Sequence, residues 1–269
     1  MSKHIGEPKL LPGGIGRGER FMLFIAFTGI INGIIHVISG PDHLAAIAPL
    51  AVRRPKRSWI AGMRWGIGHS AGVGVIGLLS LWLRDLIPVK VLSQWSEWGE
   101  RLVGVMLIGI GCWALRKAFK VHVHEHEHDG TRHVHMHSHS HNVQHHRPEA
   151  HDHHTHAAFG IGIFHGLAGG PHFLAVLPIL LMPTQLAAIS YLVAFGAGTV
   201  MAMSCFSGFM GWVTNACAAN STKVYRRLMS ACAISAMVVG CFWLFWTGGS
   251  KTDQAEKSRS AIAVENRAV

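Results

Sequence analysis

The stretch HVISGPDHLAAIAP, His36 to Pro49, sets two imidazoles and one carboxylate close together inside an apolar run from Phe21 to Val52. Imidazole and carboxylate together suit first-row divalent ions such as nickel, cobalt, zinc, iron or copper. Ionisable groups in such a run are expensive, and by default they are functional. On one continuous helix His36 and His43 stand roughly 10 Å apart at 1.5 Å per residue, too far for a single ion. The helix-breaking pair Gly40-Pro41 lies between them, and a break there folds His43 back toward His36.

A second copy of the pattern follows. HGLAGGPHFLAVLP, His165 to Pro178, repeats both the His-to-His and the His-to-Pro spacing, and carries Gly169-Gly170-Pro171 at the place equivalent to the Gly40-Pro41 break. Further on, Trp65-Gly66-Ile67-Gly68-His69 matches Phe195-Gly196-Ala197-Gly198-Thr199. The chain therefore reads as two related halves with discontinuous helices, an arrangement that forms midplane ion sites. His36, Asp42, His43, His69, His165 and His172 are the expected metal-binding groups. A lone buried histidine is often a hydrogen-bonded packing residue, but repeat-related positions favour a shared site. Arg64 is expected either to snorkel to the interface or to pair with Asp42.

Positioning these groups is the task of apolar helices. Of 269 residues, 49% are hydrophobic and 14% charged, against about 25% charged in an ordinary soluble domain. Several runs reach the roughly 20 residues needed to cross a bilayer. The expected architecture is an all-α membrane protein of six transmembrane helices in two inverted three-helix repeats, with helices one and four broken. The spans are placed at 20–39 (continuing to 52), 58–82, 100–119, 158–182, 185–213 and 227–247. The units are a polar N-terminal tail at 1–19, a first repeat at 20–120, a second at 158–247 and a polar C-terminal tail at 248–269. Small residues four apart, Gly68 with Gly72 and Gly198 with Ala202, let helices approach closely. Trp95 and Trp98 read as interfacial anchors.

Between the repeats, residues 121–157 hold 15 of the 21 histidines. His122, His124, His126 and His128 alternate along one stretch, and His133, His135, His137, His139 and His141 along the next. This segment is expected to be a disordered loop that buffers divalent metal, with a solvated linker or a lipid-binding basic segment as the plainer readings.

The net charge of +10 comes from short Lys/Arg clusters between apolar runs, which is topology information rather than a nucleic-acid footprint. The clusters Arg53 to Arg57, Arg116 to Lys120 and Lys223 to Arg227 share one side. That side, with the histidine-rich loop, is expected to be cytoplasmic. Residues 1–20 do not resemble a signal or transit peptide, so a bacterial-type plasma (inner) membrane is expected. The five cysteines have no CxxC spacing and read as apolar fillers.

The motifs HVISGPDHLAAIAP, WGIGHSAGVG and FHGLAGGPHFLAVLP resemble the nickel/cobalt transporter superfamily, including its urease-accessory-type and plant plastid-type members. The resemblance covers spans one, two and four, and span five as a pattern. It implies a carrier of divalent nickel or cobalt. His36, Asp42 and His43 would form the core motif, His69 the partner in span two, and His165 with His172 the counterpart in the second half. Five residues separate His36 from Asp42, where the usual signature has four, so ion preference and direction of transport stay open.

The expected function is secondary transport of a divalent transition metal, with no permanent cofactor and Ni²⁺ or Co²⁺ as cargo. GxxxxGK[ST] for ATP is absent from the sequence, no HExxH stands in an apolar helix as an intramembrane metalloprotease requires, and no enzyme activity is expected. The alternatives are a zinc or other divalent-metal carrier, and a membrane accessory protein delivering metal to an enzyme such as urease without moving it across. Expected partners are the divalent ion and the lipid bilayer, with a homo-oligomer of the chain as a further candidate and no nucleic acid.

Overall fold

The computed structural model describes residues 16–83, 89–120, 122–128, 131–137, 153–168, 178–179, 181–218 and 221–265. In chain order the helices are α1 (Arg17–Ser39), α2 (Pro41–Arg53), α3 (Ser58–Leu83), α4 (Val89–Lys120), α5 (His153–Ala168), α6 (Gln185–Ala218) and α7 (Thr222–Glu265), with a single 3₁₀ turn at Pro55–Arg57. The expected break in the first span falls where the sequence places it. Gly40 leaves the helix with φ −92° and ψ 97°, and Pro41 opens α2 at a position that needs no donor.

Among the described residues, four helical segments are long and apolar enough to cross a bilayer: Arg17–Ser39, Trp98–Phe119, Gln185–Ala218 and Thr222–Phe245. The protein is an integral membrane protein. At 26 residues α3 also has the length to cross. In α5 only the short stretch Ala157–Ala168 is apolar.

Exposure is inverted relative to a soluble protein. In α1 the large residues Phe24, Phe27 and Ile38 face outward, while Gly29 and Gly33 are buried. Without a hydrophobic drive between helices in lipid, small residues that admit close backbone contact hold the bundle together. A Cβ at Gly29 would lie 2.7 Å from the Tyr191 carbonyl, and one at Gly33 would collide with the Phe195 carbonyl, so α1 and α6 run side by side and parallel. Gly68 and Gly72 meet Phe159 and Ile163, which sets α3 parallel to α5. Gly62 faces Met203 and Gly66 faces Val200, setting α3 antiparallel to α6, and Gly104 against Gly240 with Gly111 against Ala233 does the same for α4 and α7.

The short helix α2 is buried in the middle. Ala45, Ala46 and Ile47 pack with Val37, Trp65, Leu107 and Met203, and Ala48 and Val52 pack with Ala114, Tyr225 and Met229.

Three segments differ from the sequence expectation. Helix α4 begins at Val89 rather than near residue 100, and α7 continues to Glu265 rather than stopping at 247. The residues after Gly249 include Ala, Gln, Glu, Lys and Arg, all good helix formers, so the helix has no local reason to stop. Within the segment expected to be disordered, His122–His128 and Thr131–His137 pair as antiparallel strands β1 and β2. Strict alternation of residue types suits a strand. His139 and His141, like the second break at Gly170 and Pro171, lie outside the described residues.

Candidate metal centre

The break at Gly40 builds the site. The Gly40 amide donates to the His36 carbonyl (3.1 Å) and the His43 amide to the Gly40 carbonyl (3.1 Å), so the turn between the two helices is closed by its own backbone. The C-terminal end of α1 and the first turn of α2 then meet at one place. The His36 and His43 rings come within 4.6 Å centroid to centroid, resolving the 10 Å separation a continuous helix would impose. A Cβ on Gly40 would lie 2.9 Å from both Asp42 Oδ1 and His43 Cε1. Glycine is required there by space rather than by backbone angles.

Two other helices bring in the remaining groups. His69, near the middle of α3, has its ring 5.6 Å from that of His36 and 4.8 Å from that of His43. His165, in the last turn of α5, stands 4.7 Å from His43 and 5.4 Å from His69. Asp42, His43, His69 and His165 are all at most 3% exposed. The structure thus brings His36, Asp42, His43, His69 and His165 together, whereas His172 lies outside the described residues. Ligand atoms from His36, His43 and His69 lie within 4.8 Å of one another, as do those from Asp42, His43 and His165. These two triads share His43.

Asp42 organises the imidazoles. Its Oδ1 is 3.0 Å from His43 Nδ1 and its Oδ2 is 3.2 Å from His165 Nε2. An N–H donated to the carboxylate leaves the lone pair on the opposite ring nitrogen, Nε2 of His43 and Nδ1 of His165, which is how outer carboxylates orient metal-binding histidines. With its oxygens so engaged, Asp42 does not pair with Arg64. Arg64 Nη1 is buried and has no hydrogen-bond partner among the described residues.

The walls of the site were not singled out in the sequence as functional. The Phe195 ring lies 5.3 Å from His36, and the fully buried Trp65 ring lies 6.0 Å from His165. The signal was present: Trp65 and Phe195 are the matched aromatics of the two repeats, and each covers the histidine of the other half. The five cysteines are free, and among the described residues no thiol joins a metal-binding group.

Residues 26–258 match the family model described as cytochrome C biogenesis protein transmembrane region. The chain is 33% identical to Chloroplast protein FOR GROWTH AND FERTILITY 1 of Arabidopsis thaliana over 80% of its own length and 57% of that protein's. It is 33% identical to Chloroplast protein FOR GROWTH AND FERTILITY 2 of the same plant over 81% and 55%. The chain therefore spans little more than half of either plant protein. Urease accessory protein UreH of Bacillus sp. (strain TB-90) is 29% identical over 84% of this chain and 93% of its own. No solved structure matches. By this match over most of its length, the chain belongs to the cytochrome C biogenesis protein transmembrane region family.

Proposed function

We propose that the chain is a secondary carrier of a divalent transition-metal ion, with nickel or cobalt as the preferred cargo. The observation that carries this reading is the pair of buried triads sharing His43. Two overlapping coordination positions let an ion exchange ligands stepwise around one histidine instead of leaving the protein shell at once. Asp42 offsets part of the ion's charge, and four imidazoles favour borderline metals over magnesium or calcium. The resemblance of the motifs to the nickel/cobalt transporter superfamily supports the same ion class, as does the likeness to a urease accessory protein.

The helix packing supports an alternating-access mechanism between two inverted halves. Taking α1, α3 and α4 as one half and α5, α6 and α7 as the other, α1 packs on α6 as α3 packs on α5. Both of those contacts are parallel, while α3 against α6 and α4 against α7 are antiparallel. A two-fold axis in the membrane plane produces this set of directions, and inverted-repeat carriers have their sites on such an axis. We place the Lys/Arg clusters and the histidine-rich segment on the cytoplasmic side of a plasma membrane, the segment acting as a metal buffer. An inside-negative potential would favour uptake of a doubly charged ion by about 4.6 kcal/mol per 100 mV. Export would require exchange against protons, which the same histidines can accept as they release metal.

The alternative is a membrane accessory protein that holds nickel for a metalloenzyme without moving it across, and the match over 93% of a urease accessory protein favours it. Flux in proteoliposomes separates the two. Accumulation of Ni²⁺ or Co²⁺ that responds to an imposed potential or pH gradient supports the carrier. Metal bound with no flux of Ni²⁺, Co²⁺, Zn²⁺ or Mn²⁺ would replace it with the accessory reading.

A further inference from the structure

Thr199, in the middle of α6, is 0% exposed, and its Oγ1 has no hydrogen-bond partner among the described residues. Four other hydroxyls in these helices show how such a group is satisfied. Thr28 bonds the Phe24 carbonyl, Ser204 that of Val200 and Thr214 that of Met210, while Ser207 crosses to the Ser58 carbonyl at 2.6 Å. A threonine in a helix can bond the carbonyl one turn back, and Thr199 does not. A buried hydroxyl left unpaired is costly, which calls for a ligand or a function.

Its surroundings say where the hydroxyl belongs. Thr199 is the residue matched to His69 between the repeats, and the packing around the two is the same. A Cβ on Gly33 of α1 would meet the Phe195 carbonyl and the Thr199 amide (2.9 Å); a Cβ on Gly162 of α5 would meet the Trp65 carbonyl and the His69 amide (3.1 Å). Thr199 thus stands to α1 as His69 stands to α5. His69 faces the centre, with its ring close to those of His36 and His165. Phe195, one turn before Thr199, lies against His36.

We propose that Thr199 is a specificity-determining residue of the metal centre, its hydroxyl hydrogen-bonding a water that stays on the bound ion and so favouring Ni²⁺ or Co²⁺ over Zn²⁺. The proposal rests on the metal-carrier reading above. Zinc is satisfied by four protein ligands in a tetrahedron, whereas an ion that keeps water gains from a fixed hydroxyl beside it. The matched positions are therefore unlike in chemistry, His69 of α3 offering a ring nitrogen and Thr199 of α6 a neutral hydroxyl.

The test is metal binding by the purified full chain and two variants, titrated separately with Ni²⁺, Co²⁺ and Zn²⁺, with thermal unfolding recorded alongside. Thr199→Val keeps the shape and removes the hydroxyl; Thr199→Ser keeps the hydroxyl. The expected result is about a tenfold loss of Ni²⁺ and Co²⁺ affinity in Thr199→Val, the size of one lost hydrogen bond, with Zn²⁺ affinity retained and Thr199→Ser close to wild type. Unchanged affinity for all three metals in Thr199→Val overturns the proposal. So does an equal loss for all three accompanied by a lower unfolding temperature, which would mark a packing role. Wild-type protein that binds none of the three ions would overturn the carrier reading itself and this proposal with it.

Discussion

Gly40→Ala perturbs the centre without touching a ligand. The backbone there, φ −92° and ψ 97°, is open to any residue, so alanine adds no backbone strain. What it adds is a methyl 2.9 Å from Asp42 Oδ1 and His43 Cε1, where ordinary contact begins at 3.4 Å. The carboxylate must retreat by about 0.5 Å and the His43 ring, whose Nδ1 collides with the methyl, by more, both beyond the roughly 0.2 Å within which metal–ligand distances hold. His43 belongs to both triads, so both are disturbed together. Overpacking of this kind costs about 1–3 kcal/mol, and at 1.4 kcal/mol per decade affinity for Ni²⁺ should fall about five- to hundredfold. The assay is calorimetric titration of purified protein, with Gly109→Ala as control, because a Cβ at Gly109 meets nothing within 4 Å. Wild-type Ni²⁺ affinity in Gly40→Ala would refute the claim that the broken turn sets the site.

Other outcomes follow from the same geometry. Asp42→Asn keeps the size of the side chain but removes the charge and one acceptor shared with His43 and His165; ion binding should be lost in titration while membrane insertion, read by protease protection, is intact. Binding should weaken as pH falls, because each imidazole must be unprotonated to hold metal, and affinity rising toward acid would contradict an imidazole site. Gly104→Ala drives a methyl to 2.7 Å from the Gly240 carbonyl. It should lower stability by about 1–3 kcal/mol in a thermal melt yet leave ion affinity alone. Deleting residues 122–156 should leave basal flux measurable and change its dependence on metal concentration; complete loss of flux with normal insertion would make the segment part of the path.

Much of the centre was legible in the sequence because it depends on local rules. Gly40-Pro41 inside an apolar run states a broken helix, and a broken helix is what lets His36 and His43 meet. The repeat pointed to His165, and the WGIGH motif to His69. What the sequence did not convey depends on distance across the bundle. Thr199 was visible as the partner of His69 in the repeat, but a threonine in a membrane helix is ordinary until its neighbours show that its hydroxyl is unsatisfied. For Arg64 the sequence left two readings, snorkelling or pairing with Asp42, and Asp42 is already engaged by two histidines. The ends of α4 and α7 were misplaced because apolar runs report where lipid begins, and a helix can continue past that point on propensity alone.

X-ray absorption at the nickel edge, on protein lacking residues 122–156 and loaded with one equivalent of Ni²⁺, tests the central claim most directly. The account predicts nitrogen and oxygen neighbours near 2.0–2.1 Å, the ordinary range for imidazole on such ions, with the multiple-scattering signature of several imidazoles that disappears in Asp42→Asn. A spectrum of water ligands alone, or one unchanged by Asp42→Asn, would mean that the buried histidines do not hold the ion.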